Sequence, residues 1–335
     1  MKYKLSNFLN VRHSTRNLTD VEFEEAAVEL SKQLELYDFK IKYTDEQLRK
    51  DWINLTKFSK YKNTISSTTR HGMKLCEHFM DNFWEIKDSK GKSFINQWNS
   101  ENLLKVLKWN RKSHSTPYIS EIRRGIYFCT SMPKSTMFRP TLSRMISHKY
   151  ANNGVVLDPC AGWGGRMLGA ISLGCRYIAF EPNTKTYNNL LNMLKFLDMS
   201  HMVTLYNDVA ENIDRYDIPK VDLILTSPPY FNLEIYSDEK TQSVKKDDSY
   251  ETWVNNFLKP VIVKCIEKGK KNVCSAWNVA NVGKYNLIDD VKNIHADLKF
   301  INKDQFLIQS SKRQSNQNET KNAKSNDLTV CYVKI

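Results

Sequence analysis

The stretch GVVLDPCAGWGGRMLGAISLG, residues Gly154 to Gly174, contains six of the eleven glycines of this 335-residue chain. Residues 1–150 contain three more. Within the stretch, Val155 to Leu157 predicts a short buried strand, and Met167 to Ser172 predicts the helix that follows it. Glycines between a strand and a helix allow a tight turn and a close approach of a ligand to the backbone. The stretch therefore predicts the first strand-turn-helix unit of an α/β domain.

Short apolar segments alternate with helical ones after Gly174, which is typical of a parallel sheet built from βαβ units. Gln305 to Gln309 and Leu328 to Ile335 have no predicted helix between them. They predict an antiparallel hairpin, with the polar tract Ser310 to Asn326 as its loop. We therefore predict a Rossmann-like α/β domain with a mostly parallel sheet over residues 126–335. Its other predicted strands are Arg176 to Phe180, Val203 to Tyr206, Val221 to Leu225 and Asn272 to Trp277, and its other helices are Thr184 to Leu197 and Trp253 to Lys268.

Residues 1–125 predict a separate, mainly helical domain. Thr19 with Glu22, and Thr44 with Gln47, have the spacing of capping boxes at helix starts. Apolar residues at helical spacing predict two further helices, Ser66 to Trp84 and Ser100 to Trp109.

Positive charge is concentrated in one segment of the chain. The net charge is +13, and residues 51–150 hold 18 Lys and Arg against 7 Asp and Glu. A basic surface of this size is typical of proteins that bind polyanions. Because the segment overlaps residues 1–125, we expect nucleic-acid recognition in the N-terminal domain. The alternative is a solvated basic face in a lysine-rich proteome.

The composition argues against membrane and secreted proteins. It is 41% apolar and 26% charged, as in ordinary globular domains, and no apolar run approaches the ~20 residues of a membrane helix. Met1 to Ser6 lacks the apolar core of a secretory signal. The seven cysteines are scattered without C-x-x-C spacing, which favours reduced thiols in the cytoplasm and no zinc site. We expect neither a metal nor a membrane partner.

Ligands of an open α/β sheet bind outside the carboxyl ends of the strands, near the point where the strand order reverses. Three carboxylates follow predicted strands in this chain, namely Asp158, Glu181 and Asp208. The turn after the first strand is not G-x-G-x-x-G and has no following G-K-[ST], so it favours neither a dinucleotide site nor a P-loop. The fourth strand runs into Thr226-Ser-Pro-Pro-Tyr230, and two consecutive prolines cannot continue a central strand.

The order and spacing of these segments resemble the S-adenosylmethionine-dependent amino-methyltransferases that act on DNA bases. The resemblance covers roughly residues 131–335, and its strongest motifs are Asp158 to Gly165 and Thr226 to Tyr230. It implies a class I methyltransferase sheet, S-adenosylmethionine as cofactor and double-stranded DNA as partner, with cytosine N4 favoured over adenine N6. It also implies a role in restriction and modification in the cytoplasm of a bacterial cell. The lysine- and asparagine-rich composition suits an AT-rich genome such as that of a phage.

The resemblance also implies roles for individual residues. Asp158 and the loop after it would hold the methionine end of the cofactor. Glu181 would accept the ribose hydroxyls, and Asp208 would accept the adenine amino group. Phe138 and Thr141 are placed like the family segment that closes over the cofactor. The other residues expected at the cofactor are Cys160, Ala161, Gly162, Trp163 and Gly164.

The corner Ser227-Pro228-Pro229-Tyr230 carries the chemistry in this interpretation. An exocyclic base amine is a weak nucleophile because its lone pair is delocalised into the ring. The Ser227 hydroxyl and the Pro228 carbonyl can accept hydrogen bonds from that amine, and proline stiffness preorganises both acceptors. Tyr230 would stack on the base after it flips out of the duplex, and Phe231 would form a second apolar wall.

Two alternatives remain open at the level of sequence. An RNA amino-methyltransferase would share the fold and a similar Pro-Pro-aromatic corner, and a basic N-terminal domain suits tRNA or rRNA. A non-catalytic DNA-binding subunit with a decayed cofactor fold is the other. Pro159-Cys160 is similar to the nucleophile motif of C5-cytosine methyltransferases, but it follows the first strand instead of the fourth, so we expect no covalent catalysis.

Overall fold

The computed structural model describes residues 2–59, 69–132, 135–243, 247, 249–281, 283–307 and 328–334. The chain divides into two compact units. The first comprises Met1–Ile41, Asn82–Thr136 and Glu234–Tyr236, and the second comprises Lys42–Asp81, Met137–Leu233 and Ser237–Ile335. Residues 42–81 thus fold with the second unit, whereas the sequence assigns them to the N-terminal domain. The loop expected at Ser310 to Asn326 lies outside the described residues.

The part of the chain before the main sheet is mainly helical, as the sequence predicts. Thr19 and Glu22 form a capping box at one helix start, and Thr44 and Gln47 form another, so both predicted boxes are confirmed. In chain order the elements are α1 (Asp20–Glu35), α2 (Asp45–Thr56), α3 (Met73–Phe79), β1 (Lys87–Asp88), α4 (Phe94–Gln97), α5 (Ser100–Lys112), α6 (Ile119–Cys129) and α7 (Pro140–Tyr150).

The helix predicted over Ser66 to Trp84 is too long. In the described part of this segment the helix begins at Met73, because Gly72 before it adopts a left-handed φ of +85°. The helix ends at Phe79. Residues 66–68 lie outside the described part of the chain.

The core of the first unit lies between α1 and α5. Leu30 and Leu34 of α1 and Leu103 of α5 are fully buried in one apolar cluster. Trp98 joins this cluster, and its indole N–H donates to the Leu34 carbonyl oxygen at 2.8 Å. The polar group of the buried indole is therefore satisfied, which burial of a tryptophan requires.

Strands and helices alternate along the second part of the chain, as predicted. A π-helical turn, Val254–Leu258, joins two of the helices. The elements are β2 (Val155–Asp158), α8 (Gly165–Ile171), β3 (Arg176–Phe180), α9 (Thr184–Leu197), β4 (Val203–Tyr206), β5 (Val221–Thr226), β6 (Glu234–Ile235), α10 (Tyr250–Trp253), α11 (Lys259–Glu267), β7 (Gly269–Val279), α12 (Leu287–Asp297), β8 (Phe300–Leu307) and β9 (Leu328–Lys334).

The described strands of the second unit form one sheet in the order β4-β3-β2-β5-β7-β9-β8. The first five are parallel, and β9 and β8 continue the sheet as an antiparallel hairpin. The strand order reverses at β2, which lies between β3 and β5, so the ligand crevice is expected at the carboxyl ends of these strands. This is the Rossmann-like class I methyltransferase sheet, and the predicted fold class is confirmed. Within the described residues, no helix is long and apolar enough to cross a membrane.

Candidate functional site

The carboxyl ends of four adjacent parallel strands carry the residues that the sequence predicts for a site. Asp158 ends β2, Glu181 follows β3, Asp208 lies two residues after β4, and Ser227 follows β5. The Glu181 N–H donates to the carbonyl oxygen of Tyr206, the last residue of β4, at 3.0 Å. The structure therefore places all four side chains along one edge of the sheet. Their roles toward a ligand stay predictions.

Asp158 is fully buried and accepts four hydrogen bonds. Its Oδ1 accepts from the Cys160 N–H at 3.1 Å and from the Thr226 hydroxyl at 2.7 Å. Its Oδ2 accepts from Arg166 Nε at 2.6 Å and from the Tyr177 hydroxyl. These four donors use the lone-pair capacity of the carboxylate. Through these contacts Asp158 ties the loop after β2 to the end of β5. A direct bond from Asp158 to the cofactor stays a prediction.

Arg166, which sequence reasoning missed, forms a buried ion pair with Asp158. The two side chains are 5% and 0% exposed. Burial lowers the pKa of Arg166, but Asp158 and Tyr177 raise it by more, so the guanidinium stays charged. The guanidinium also donates to the Cys160 carbonyl oxygen and lies 5.3 Å from the centre of the Phe138 ring. The position of Arg166 in the first helical turn after the glycine loop could have identified it from the sequence as a residue of the site.

The turn between β2 and α8 depends on two glycines. Gly162 and Gly164 have φ values of +56° and +78°, which glycine adopts without steric cost. A Cβ on Gly164 would lie 3.0 Å from Leu190, whereas a Cβ on Gly162 would meet nothing closer than Arg166 at 3.6 Å. Gly164 is therefore needed for packing as well as for conformation, whereas a Cβ on Gly162 would make ordinary van der Waals contacts.

Two backbone N–H groups that the sequence assigns to the cofactor are bonded within the protein. Ala161 donates to the Phe180 carbonyl oxygen at 2.9 Å, and Gly162 donates to Glu181 Oε2 at 2.9 Å. Trp163 is half-buried. The N–H groups of Ala161 and Gly162 are therefore already satisfied within the protein, and contact of this loop with a cofactor stays a prediction.

Gly165 and Gly169 allow α7 to lie directly against α8. A Cβ on Gly165 would lie 1.9 Å from the Phe138 carbonyl oxygen, and a Cβ on Gly169 would lie 2.4 Å from that of Pro140. Phe138 is consequently held beside the glycine loop. Thr141 is fully buried, and its hydroxyl has no hydrogen-bond partner among the described residues. Contact of Phe138 and Thr141 with a cofactor stays a prediction.

Glu181 is a buried carboxylate with a raised pKa. Its Oε1 and Oε2 accept from the Asn183 and Gly162 N–H groups at 3.0 and 2.9 Å. Burial raises the pKa of Glu181 to about 7, and nearby Asp158 adds to the rise, although the two N–H groups oppose it. A strongly perturbed pKa in a crevice is typical of a functional site. The vicinal hydroxyls of a ribose are donors that would stabilise the ionised form.

Asp208 is half-buried and already held by neighbours within the protein. It accepts hydrogen bonds from the Val209 N–H at 2.8 Å, the Asn212 amide at 2.9 Å and the Tyr216 hydroxyl at 2.8 Å. Burial raises the pKa of Asp208, but these hydrogen bonds outweigh burial and lower it overall. An ionised acceptor at this position suits the expected bond to an adenine amino group.

Asn278 holds the Ser227 to Tyr230 corner and was missed by sequence reasoning. Its Nδ2 donates to Ser227 Oγ and to the Tyr230 hydroxyl, each at 3.3 Å. The Tyr230 hydroxyl in turn donates to the Asn278 carbonyl oxygen at 3.3 Å, and the Thr329 hydroxyl donates to Asn278 Oδ1 at 2.9 Å. Asn278 is 3% exposed, so these bonds fix the amide. The sequence does contain a sign of this role, because Asn278 is a polar residue that directly follows the fifth predicted strand. Polar residues also follow the other four predicted strands.

Phe231 lies in the core beneath the corner, whereas the sequence predicts a wall for a base. Its left-handed φ of +50° is uncommon for an aromatic residue and persists only where packing enforces it. The side chain is 6% exposed, and its ring centre lies 5.7 to 5.9 Å from the ring centres of Tyr250, Trp253 and Tyr285. The contacts therefore suit an anchor that sets the path of the chain after Tyr230.

The Cys160 thiol is not activated. Burial raises the pKa of Cys160 well above its ordinary value, and Asp158 raises it further. A thiol that stays protonated is a poor nucleophile. The environment of Cys160 is therefore consistent with the prediction that no covalent adduct forms.

S-adenosylmethionine is the cofactor of this fold class, and the chemistry of the crevice fits it. Glu181 offers a buried carboxylate whose desolvation a pair of ribose hydroxyls would relieve. The Gly162 N–H donates to that carboxylate at 2.9 Å. Asp208 offers an acceptor for an amino group one strand further along the sheet.

Comparison with known proteins finds one family. Residues 129–267 match the family model described as Conserved hypothetical protein 95, which is less than half of the 335-residue chain. No curated protein sequence matches the chain.

Solved structures are similar to the chain only at low identity. A provisional rRNA methylase from Clostridium thermocellum is 17% identical with a TM-score of 0.42, over 60% of this chain and 100% of that one. TrmN from Thermus thermophilus is 13% identical with a TM-score of 0.42, over 58% and 49%. An S-adenosylmethionine-dependent O-methyltransferase from Thermotoga maritima is 13% identical with a TM-score of 0.40, over 62% and 69%. Structural similarity at this level does not indicate what the chain does.

The resemblance to DNA amino-methyltransferases is wrong. The family that matches residues 129–267 is a different one, and that range contains both motifs on which the resemblance depends, Asp158 to Gly165 and Thr226 to Tyr230. A strand-ending carboxylate before a glycine turn and a proline corner are local features of this sheet, so they indicate the fold more than the substrate. Duplex DNA as partner and a role in restriction and modification lose their support with the resemblance.

Proposed function

We propose that this protein transfers a methyl group from S-adenosylmethionine to an exocyclic amino group of a base in structured RNA, such as tRNA or rRNA. The observation that carries the proposal is the corner in which Asn278 fixes both Ser227 and Tyr230 at the end of β5. The excess of 11 positive charges in residues 51–150 supports a polyanionic substrate. Because the resemblance to DNA enzymes is wrong, we propose the other nucleic-acid substrate that the sequence left open, which is RNA.

The corner acts on the amine by accepting its protons. Ser227 Oγ receives a hydrogen bond from Asn278, which holds the hydroxyl in place and leaves a second lone pair for the amine. The carbonyl of Pro228 is a second acceptor, stiffened by Pro229. An amine that donates two hydrogen bonds becomes more tetrahedral and regains a localised lone pair. When bound, S-adenosylmethionine would supply an electrophilic methyl group to that lone pair, the sulfur–methyl bond breaking as the N–C bond forms, and the amine would give up one proton to water.

Tyr230 supplies the stacking surface for the base. Its hydroxyl both accepts from and donates to Asn278, so the orientation of the ring is fixed before substrate arrives. Stacking of a base on an aromatic ring contributes about 1–3 kcal/mol and is indifferent to base identity. Tyr230 therefore contributes affinity, while the acceptors at Ser227 and Pro228 contribute to the rate.

Methyl transfer from tritiated S-adenosylmethionine tests the proposal, with tRNA, rRNA transcripts and duplex DNA as competing acceptors. We expect label in RNA, a rate at least tenfold lower for Ser227→Ala, and an unchanged rate for the control Ser200→Ala, which alters an exposed serine of the same unit. Label in duplex DNA alone, or equal rates for the two variants, would contradict the proposal. Binding of S-adenosylmethionine without transfer to any acceptor would indicate a non-catalytic protein.

A further inference from the structure

The first unit presents an aromatic pair on its surface, formed by Trp109 of α5 and Phe128 of α6. Their ring centres are 5.3 Å apart, with 34° between the planes. Phe128 is 67% exposed, more than any other aromatic residue that the described part of the chain exposes. Leaving a phenylalanine in water forgoes the stabilisation that burial of its ring would contribute. Exposure of this size is a reason to look for an occupant.

Trp109 is held in place by α6. A Cβ on Gly125 of α6 would lie 3.2 Å from the Trp109 ring, so the glycine lets the indole lie against the backbone of α6. The Arg124 guanidinium lies 5.7 Å from the centre of the Trp109 ring, within the range of a cation–π contact. A preorganised aromatic surface loses little conformational freedom when a planar partner stacks on it.

The same helix pair is basic. Residues 100–129 contain six Lys and Arg and two Glu. Lys105 and Lys112 lie four residues before and three residues after Trp109, which places all three on one face of α5. Lys105 pairs with Glu101 and Arg124 pairs with Glu121, but both are exposed ion pairs, which contribute little and can exchange for a phosphate.

We infer that the surface formed by Trp109, Arg124 and Phe128, with Lys105 and Lys112 beside it, binds an unpaired nucleotide of the RNA substrate. The base stacks on the aromatic pair, and the lysines contact the flanking phosphates. Aromatic rings interleaved with cations are how proteins bind single-stranded nucleic acid without reading its sequence. A protein partner would favour an apolar surface without this excess of cations. The inference rests on the proposed function for its substrate class.

Binding of the full-length protein to a short unstructured pyrimidine RNA, without S-adenosylmethionine, tests the inference. Phe128→Ala should weaken binding about 5- to 100-fold and leave the slope of log Kd against log salt unchanged. Lys112→Gln should reduce that slope by about 0.7, the value for one phosphate of a single strand. The control is Leu36→Ala, which should bind like the wild type. Leu36 is an apolar residue of the same unit and is 89% exposed. An abasic version of the RNA should abolish the difference between wild type and Phe128→Ala.

Equal affinity of Phe128→Ala and wild type for the RNA would overturn the inference. So would sedimentation in which the wild type is a dimer and Phe128→Ala a monomer, because the surface would then join two copies of the chain. If Phe128→Ala weakens RNA binding but no methyl group reaches RNA, the stacking surface stands and the proposed function fails. If methyl transfer to RNA occurs and is insensitive to Phe128→Ala, the proposed function stands and the stacking surface fails.

Discussion

Glu181→Gln tests whether the crevice contains a buried carboxylate whose ionised form lowers the free energy of unfolding. Burial raises the pKa of Glu181 from 4.5 to about 7. The unfolded chain loses this proton at about pH 4.5, so the ligand-free protein loses stability as the pH rises from about 4.5 to about 7. At about 1.4 kcal/mol per pH unit the loss is about 3 kcal/mol by about pH 8. Glutamine is neutral at every pH, so the variant lacks this loss.

The substitution has a second, pH-independent effect. Glutamine has one side-chain oxygen for the two N–H donors of Gly162 and Asn183, and an unsatisfied buried donor costs about 1–3 kcal/mol. The variant should therefore be less stable than the wild type at about pH 5 and as stable or more stable at about pH 8. Burial lowers the pKa of His295 to about 4, so both proteins also lose stability as the pH falls from about 6.5 to about 4, and this loss cancels in the comparison.

Urea unfolding followed by tryptophan fluorescence measures this difference at each pH. The same carboxylate makes S-adenosylmethionine binding pH-dependent, since ribose hydroxyls favour the ionised form. Affinity measured by calorimetry should fall up to about tenfold per pH unit below about pH 7 in the wild type and stay flat in Glu181→Gln. A stability difference that is constant from about pH 5 to about pH 8 would refute the assigned environment of Glu181. Wild-type affinity that is equal at about pH 6 and about pH 8 would refute its role toward the ribose.

Four further substitutions test the rest of the site. Asp158→Asn should destabilise the protein by about 3–5 kcal/mol in urea, because it leaves the buried Arg166 charge unpaired, and an unchanged midpoint would contradict the positioning role. Asn278→Ala should lower kcat for methyl transfer about tenfold or more with little change in the cofactor Kd, and a change in Kd alone would show that the corner does not depend on it. Tyr230→Ala should raise the KM for RNA about 5- to 100-fold, which steady-state kinetics would measure, and an unchanged KM would exclude base stacking there. Cys160→Ser should keep turnover within a few-fold of wild type; loss of activity, or an RNA adduct trapped on the wild type, would contradict direct transfer.

The sheet was predictable from sequence because a parallel strand covered on both faces is mostly apolar, as Leu223 to Leu225 in β5 is. Helix α9 was predicted with the bounds it has, since Asn183 caps it and Leu190 and Leu194 recur at helical spacing. Helix α12 was not predicted, although Leu287, Val291 and Ile294 have the same periodicity.

The interior of the site was not predictable from spacing. Asp158, Tyr177 and Thr226 are far apart in the chain and meet only because the parallel register brings β3 and β5 to either side of β2. The sequence therefore identifies Asp158 as a strand-ending carboxylate without showing that its lone pairs are taken. Asn278 is hidden for the same reason, because its partner Ser227 directly follows β5 and its partner Thr329 lies on β9, the two strands that flank β7.

Nucleoside mass spectrometry of RNA after incubation with the protein and S-adenosylmethionine tests the central claim most directly. A digest separates a methylated exocyclic amine from ring-carbon and ribose methylation. The account predicts a base methylated on its amino group in tRNA or rRNA, absent with Ser227→Ala and present with Ser200→Ala. A methyl group on a ring carbon or a ribose hydroxyl, or methylated bases found only in duplex DNA, would contradict it.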